Sequence, residues 1–170
     1  MASLDTLTSS VGTTFTIAMG KTDDFANQTR SISDSWTNSL TIGTGAGNGD
    51  QCFADQRTLA GSANETLDLQ SLTTSFGVAV VFTKVKVLAI KVVSTNADST
   101  ITVGASGASA FNTPFAGDDT FAVTVRPGGW VLWACDDTTA YAVSGTVKDL
   151  KIVNNSSSSL DYKIIIIGID

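Results

Sequence analysis

The sequence predicts an all-β fold, an antiparallel β-sandwich of the jelly-roll type preceded by an extended N-terminal arm. Apolar residues alternate with Ser, Thr and Asn along most of the chain, which is typical of strands with one buried face. Turn-forming residues separate these segments at intervals of roughly ten residues, the spacing found in sandwiches and barrels. No segment has a clear helical repeat. With 170 residues, 42% of them hydrophobic, the chain can form one domain around one core.

The arm is predicted to span residues 1–42 and to form strands. Its first segment alternates apolar and small residues up to Gly20, with apolar positions at Phe15, Ile17 and Met19. Its second segment, residues 31–42, is rich in Ser, Thr and Asn around more widely spaced apolar residues. Residues 43–49 contain four glycines and are predicted to be a linker, because glycine runs favour flexible or turning backbone.

Residues 50–170 are predicted to form the sandwich. Strands are expected at 52–59, 66–72, 78–93, 100–103, 120–125, 130–134, 140–144, 150–153 and 160–168. The β-branched residues of 78–93 favour one long strand, straight or bent, over a helix. Lys84 and Lys86 share one face of that strand, which predicts a solvated edge or a partner contact. The unbroken isoleucine run at 164–167 predicts a central strand buried on both faces.

The polar residues argue against catalysis. The chain has no histidine, the side chain on which proton transfer near neutral pH most often depends. The adjacent carboxylates Asp118 and Asp119, and likewise Asp136 and Asp137, are interpreted as solvated turn residues, with a calcium site as the alternative. Two cysteines without histidine do not complete a common zinc site. We therefore predict no enzymatic activity, no metal and no cofactor.

The two cysteines, Cys52 and Cys135, have two interpretations. Reduced, part-buried thiols in a protein made in the cytoplasm are favoured, and a disulfide is the alternative.

Charge and hydropathy restrict the partners. The net charge is −6, and no stretch concentrates Lys or Arg, so the basic face of a nucleic-acid-binding protein is missing. No apolar run reaches the length of a membrane-spanning helix, and we expect no membrane contact. Only 15% of residues are charged, which favours a surface that protein partners partly cover.

Five apolar residues are candidates for such a protein interface: Phe15, Ile17, Met19, Trp36 and Trp130. The first three alternate along one strand, which could pair with a neighbouring subunit or could equally be the ordinary first strand of the sandwich. Trp130 and Trp133 point to opposite faces of their strand, so at most one of them belongs to the core. Packing against core or subunit is favoured over stacking on a sugar.

Several segments resemble a group of small virion proteins of tailed bacteriophages. They are DQRTLAGSANETLDLQSLTTSFG (55–77), FTKVKVLAIK (82–91), VTVRPGGW (123–130), AYAV (140–143), DLKIVNN (149–155) and DYKIIIIG (161–168). The resemblance covers residues 50–170 and rests on the order of these motifs. Trp130, Trp133 and Cys135 stand where the resemblance leads us to expect small aliphatic residues.

The resemblance implies a jelly-roll-like virion component. Some proteins of this group are trimeric cement, or decoration, proteins on the capsid exterior. We accordingly expect a homotrimer that is made in the cytoplasm of the host bacterium and binds the outside of the major capsid protein shell, stabilising it. The alternatives are a carbohydrate-binding jelly-roll module of a tail fibre or spike and a structural component of the tail or neck.

Overall fold

The computed structural model describes residues 6–22, 27–75, 77–104 and 107–170. In this part of the chain the elements are β1 (Thr8–Thr22), β2 (Asn27–Ile42), β3 (Asn48–Gly49), β4 (Gln51–Leu59), β5 (Asn64–Asp68), β6 (Leu72–Thr73), β7 (Ala79–Val80), β8 (Lys84–Val92), β9 (Ile101–Gly104), a 3-10 helix (Thr113–Phe115), β10 (Ala122–Val125), β11 (Trp130–Ala134), β12 (Tyr141–Ala142), β13 (Asp149–Asn154) and β14 (Leu160–Ile169). The all-β prediction is confirmed.

Two antiparallel sheets form a sandwich. One has the order β11-β8-β14-β4, with β12 pairing to β8, and the other has the order β10-β9-β13-β5. The strands pair as nested hairpins along the chain: β9 with β10, β8 with β11, β5 with β13 and β4 with β14. The largest fully buried side chains between the sheets include Tyr162, Phe53, Phe82 and Phe111.

Alternation produces this core directly. Along β13, Leu150 and Ile152 are completely buried, whereas Lys151 between them is only partly covered. Asn154 continues the buried face, and its side-chain amide donates to the carbonyl oxygens of Leu59, Ala60 and Ser158 at 2.8–3.1 Å. A buried amide with its hydrogen bonds satisfied ties the end of β4 to the turn between β13 and β14.

The predicted arm forms a long β-hairpin. All 15 residues of β1 pair with β2, from Thr8 opposite Thr41 to Thr22 opposite Asn27. At about 3.4 Å per residue, the hairpin is about 50 Å long. Its base forms a third layer on the outer face of the five-stranded sheet, where Leu40, Val87 and Ile167 form a separate buried cluster. Residues 1–5 and 23–26 of the predicted arm lie outside the described residues.

The glycine-rich segment forms a hydrogen-bonded turn. The amide of Gly43 donates to the carbonyl of Gly49 at 3.1 Å, and that of Gly47 donates to the carbonyl of Asp136 at 2.6 Å. Gly43 and Gly47 have φ angles of 134° and 65°, which L-residues with side chains rarely adopt. β3 then pairs in parallel with the end of β2.

Three local predictions were wrong. Gly20 does not end the first strand, because cross-strand pairing continues to Thr22. Residues 78–93 form two strands, because the chain turns at Phe82, whose amide donates to the carbonyl of Leu69 in another part of the fold. Lys86 is not at a solvated edge, since β8 is a central strand and the lysine is completely buried.

The isoleucine run is not buried on both faces throughout. β14 is central, as predicted, and Ile164, Ile166 and Ile167 are buried. Ile165 is 44% exposed, because it points to the outer face of the sheet beyond the part that the hairpin base covers.

Candidate interaction surface

The two faces of the hairpin differ sharply in chemistry. Directly opposed residues of an antiparallel pair share a face, and faces alternate along each strand. One face carries Phe15 opposite Asp34, Ile17 opposite Ile32, and Met19 opposite Arg30, with Trp36 one pair nearer the base. The opposite face carries only Ser, Thr, Gly and Ala from Thr14 opposite Ser35 to Gly20 opposite Thr29. We call the first of these the apolar face, defined by Phe15, Ile17, Met19, Ile32 and Trp36.

Only the base of the hairpin is packed. Leu7, Val11 and Leu40 contact the sandwich, on the same side of the hairpin as the apolar face. Beyond them, every residue of segments 14–20 and 29–37 is exposed. We call these two segments the outer half of the hairpin. Its apolar side chains therefore lie in solvent on a two-stranded element that has no second layer.

Local contacts order the apolar face. The rings of Phe15 and Trp36 pack edge to face with centroids 4.8 Å apart. The indole Nε1 of Trp36 donates to a carboxylate oxygen of Asp34 at 2.9 Å, and the other carboxylate oxygen accepts from the amide of Ser35. Trp36 is 62% exposed, so these contacts orient the ring without burying it. A large aromatic side chain held in an exposed position is a typical interface anchor.

The outer face of the five-stranded sheet has its own apolar row. Leu132 of β11, Ala89 of β8 and Ile165 of β14 lie side by side in the ladder. Trp130, at 54% exposure, stands one pair further along β11. Side chains of this row and of the hairpin line two adjoining hollows of about 290 and 350 Å³, which share Val11, Trp130 and Leu132. We call these hollows together the recess.

Two lysines lie at the recess. Lys91 of β8 is directly opposite Lys163 of β14, and Trp130 is opposite Lys91 on its other side. Both lysines are exposed, and neither forms an ion pair with a described residue. The two lysines give the recess an excess of positive charge. Like charges that face each other across a ladder are destabilising, so a carboxylate placed beside them would be favourable.

The structure brings the five candidate residues together in one region. Phe15, Ile17, Met19 and Trp36 share the apolar face, and Trp130 lines the same hollow as Phe15 and Trp36. The alternative that the first three form an ordinary strand of the sandwich is wrong, because β1 pairs only within the hairpin. Trp133, on the other face of β11, packs against the core, as the predicted opposite orientation requires.

Other residues of this region escaped the sequence analysis. Ile32 is recognisable only from the register that places it opposite Ile17. Ile165 is hidden in a continuous isoleucine run, and the pairing of Lys91 with Lys163 joins segments that are 72 positions apart in the chain. None of these has a local sequence signal.

The remaining polar groups have structural roles. An oxygen of Asp118 accepts from the amide and hydroxyl of Thr120, and an oxygen of Asp137 accepts from the amide of Ala140, so both acids stabilise turns as predicted. Within the described ranges, no group of three or more His, Cys, Asp or Glu side chains could hold a metal ion.

The cysteines are two free thiols. Both Cys52 and Cys135 are partly buried. Burial raises the pKa of each thiol, which keeps it protonated and a poor nucleophile.

Comparisons with known proteins return no relative. Among the residues described, no helix has the length and apolar character needed to cross a bilayer. No protein-family model, curated protein or solved structure matches the chain.

Proposed function

We propose that this protein is a structural component of a bacteriophage virion, a decoration protein that binds the outside of the capsid shell and stabilises it. The observation that carries this proposal is the exposed apolar face on the outer half of the hairpin. The resemblance of residues 50–170 to small phage virion proteins supplies the biological setting.

The energetics of the hairpin favour an assembled state. An isolated two-stranded hairpin is at best marginally stable in water. Five large apolar side chains of its outer half are exposed: Phe15, Ile17, Met19, Ile32 and Trp36. Because each is 41–62% exposed, burying the remaining surface against a partner would contribute about 1 kcal/mol per side chain. The apolar side chains of the arm contribute this stabilisation only where other subunits bury them, as in a repeating shell.

The strand order supports a jelly roll as the form of the sandwich. Apart from the short β12, each of the two sheets has four strands, and the pairs β4–β14, β5–β13, β8–β11 and β9–β10 are nested along the chain. Two Greek keys wound in this way form the usual architecture of small virion domains. The acidic balance, −6, also favours a place outside the shell, away from packaged nucleic acid.

A shortened hairpin tests the proposal. Replacing residues 13–36 by Asn-Gly keeps Leu7, Val11 and Leu40 on the sandwich and closes the ladder next to the pair Gly12 and Thr37. We expect the full chain to bind purified particles that lack the protein, and the shortened chain to bind them at least tenfold more weakly.

The readout is protein that co-sediments with particles, together with a cryo-EM map of the bound state. The thermal midpoint of the shortened chain controls for an intact sandwich. Equal binding by both chains, or absence of the protein from mature particles, would contradict the proposal. Density at the tail or neck instead of the shell would favour the alternative of a tail or neck component.

A carbohydrate-binding module is the second candidate. Trp36 and Trp130 are both more than half exposed and line one hollow, the arrangement that stacks on sugar rings. A glycan array with the purified protein tests this candidate. Sugar binding that is lost on Trp130→Ala would favour it over the decoration role.

A further inference from the structure

We infer that the outer half of the hairpin of one copy packs into the recess of a second copy of this chain, so that copies join in a ring. The inference rests on the proposed structural role and names the partner that covers the apolar face. Each chain carries both halves of the contact, an exposed apolar arm and an exposed apolar recess, and one contact between copies buries both.

The hairpin already makes this kind of contact within its own chain. Leu7, Val11 and Leu40, on the same side of the hairpin as the apolar face, pack against Val87 and Ile167 on the outer face of the sheet. The next row of that face, Leu132, Ala89 and Ile165, continues the same surface and is only partly covered: Leu132 packs against the hairpin base, whereas Ile165 is 44% exposed. An intermolecular contact would extend an existing interface with the same chemistry on both sides.

Charge is complementary across the proposed contact. Lys91 and Lys163 lie opposite each other beside the apolar row, and neither forms an ion pair with a described residue. The apolar face carries one carboxylate, Asp34, in the middle of its aromatic cluster, where it is already oriented by Trp36. Within the outer half of the hairpin, the cation on this face is Arg30, which lies opposite Met19 towards the tip. Asp34 of a second copy would offset one of the two lysine charges, whereas Arg30 of that copy would lie beyond them.

The division of the recess into two small hollows favours side chains over one larger ligand. Its two hollows, of about 290 and 350 Å³, are at the lower end of the range of small-molecule pockets, roughly 300–1,000 Å³. They lie between the hairpin and an apolar row with few polar groups to orient a ligand. Large apolar side chains of a strand, such as Ile17 and Met19, fit this description.

The geometry of the contact predicts how copies assemble. The outer part of the apolar face (Ile17, Met19 and Ile32) and the sheet row of the recess (Leu132, Ala89 and Ile165) are different surfaces, so a contact between them is heterologous, and repeated contacts close into a ring or continue as a filament. A ring of three copies agrees with the trimer that the decoration role implies.

Two variants test each half separately. Ile17→Asp places a charge on the apolar face, and Ile165→Asp places one in the recess. Matched controls are Thr16→Asp, on the opposite face of the same strand, and Val78→Asp, which changes an exposed apolar residue outside the recess. We expect the wild-type chain to form a ring, and each of the two interface variants to associate roughly 100-fold more weakly. Both controls should remain assembled.

Mixing the two interface variants gives the decisive measurement. The Ile17→Asp chain keeps its recess and the Ile165→Asp chain keeps its arm, so an equal mixture should form a species with the mass of two chains. Light scattering after size-exclusion chromatography measures this mass. A monomeric wild type, assembly unaffected by both variants, or no association in the mixture would each overturn the inference. If either Asp variant fails to fold, Ile17→Ser or Ile165→Ser replaces it in the same measurement.

The same preparations separate this inference from the proposed function. Rings that do not bind particles would contradict the decoration role and leave the inference standing. Chains that bind particles but stay monomeric in solution and are insensitive to Ile165→Asp would overturn the inference alone, and would assign the apolar face to the shell protein.

Discussion

Lys86 donates a hydrogen bond from Nζ to the carbonyl oxygen of Gly45 at 2.6 Å, although the lysine is completely buried on a central strand. This contact ties the glycine-rich turn at the base of the hairpin to the sandwich. The amide of Gly47, donating to the carbonyl of Asp136, supplies a second tie in the same turn. The direction in which the arm leaves the sandwich therefore depends on a few polar contacts at its base as well as on the apolar cluster.

Removing the Lys86 contact should loosen the turn. Lys86→Met keeps most of the side-chain volume but removes the shorter of two hydrogen bonds to the Gly45 carbonyl, which then accepts only from the Asn48 amide at 3.3 Å, at a local cost of about 1–2 kcal/mol. We expect hydrogen exchange of the Gly47 amide to accelerate roughly 5- to 30-fold, measured by NMR. Lys84→Met is the matched control, because Lys84 donates to the carbonyl of Thr138, outside the turn. Unchanged exchange at Gly47 would mean that Lys86 does not hold the turn.

Gly12 should be required for the regular hairpin. A Cβ at this position would overlap the carbonyl oxygen of Trp36 and would come within 2.8 Å of the Thr37 hydroxyl. Gly12→Val should therefore disrupt pairing near the middle of the hairpin and weaken association of copies at least tenfold, with the thermal midpoint of the sandwich unchanged. Ala18→Val, on the same face nearer the tip, is the control. Assembly of Gly12→Val at wild-type strength would contradict the prediction.

Tyr162 should make stability fall at alkaline pH. Burial, and then the hydrogen bond from its hydroxyl to Glu65 at 2.5 Å, raise the pKa of Tyr162 above its ordinary value of 10.0. The folded state thus favours the protonated phenol, and this stabilisation is fully present below pH 10 and is lost as pH rises further. We expect Tyr162→Phe to lower the free energy of unfolding by about 1.5 kcal/mol at pH 7 and to flatten its decline above pH 10.

Urea unfolding at a series of pH values measures both effects of Tyr162→Phe. Tyr141→Phe is the comparison, since Tyr141 is only half-buried and should account for a smaller part of the decline. A decline that is the same in wild type and Tyr162→Phe would show that other groups cause it.

Substituting Asn154 should be among the changes that destabilise the sandwich most. Its side-chain oxygen accepts from the amide and hydroxyl of Ser156, in addition to the three contacts of its amide group. Asn154→Ala leaves several buried polar groups without partners and should lower the free energy of unfolding by about 3 kcal/mol. Asn155→Ala, which removes one exposed contact to Thr102, should cost less than about 1 kcal/mol. Similar losses for both variants would contradict the assignment.

The sequence by itself determined the strand content and most strand positions, because a two-residue period is a local property that follows from the side chains alone. It also identified Phe15, Ile17 and Met19 as one row of apolar residues. The tertiary structure alone decided what lies opposite and above each row. Three features depend on which distant strands pair and on how far the hairpin base reaches: Lys86 is buried, Ile165 is exposed, and Lys91 lies opposite Lys163. These are long-range contacts, and local periodicity carries no information about them.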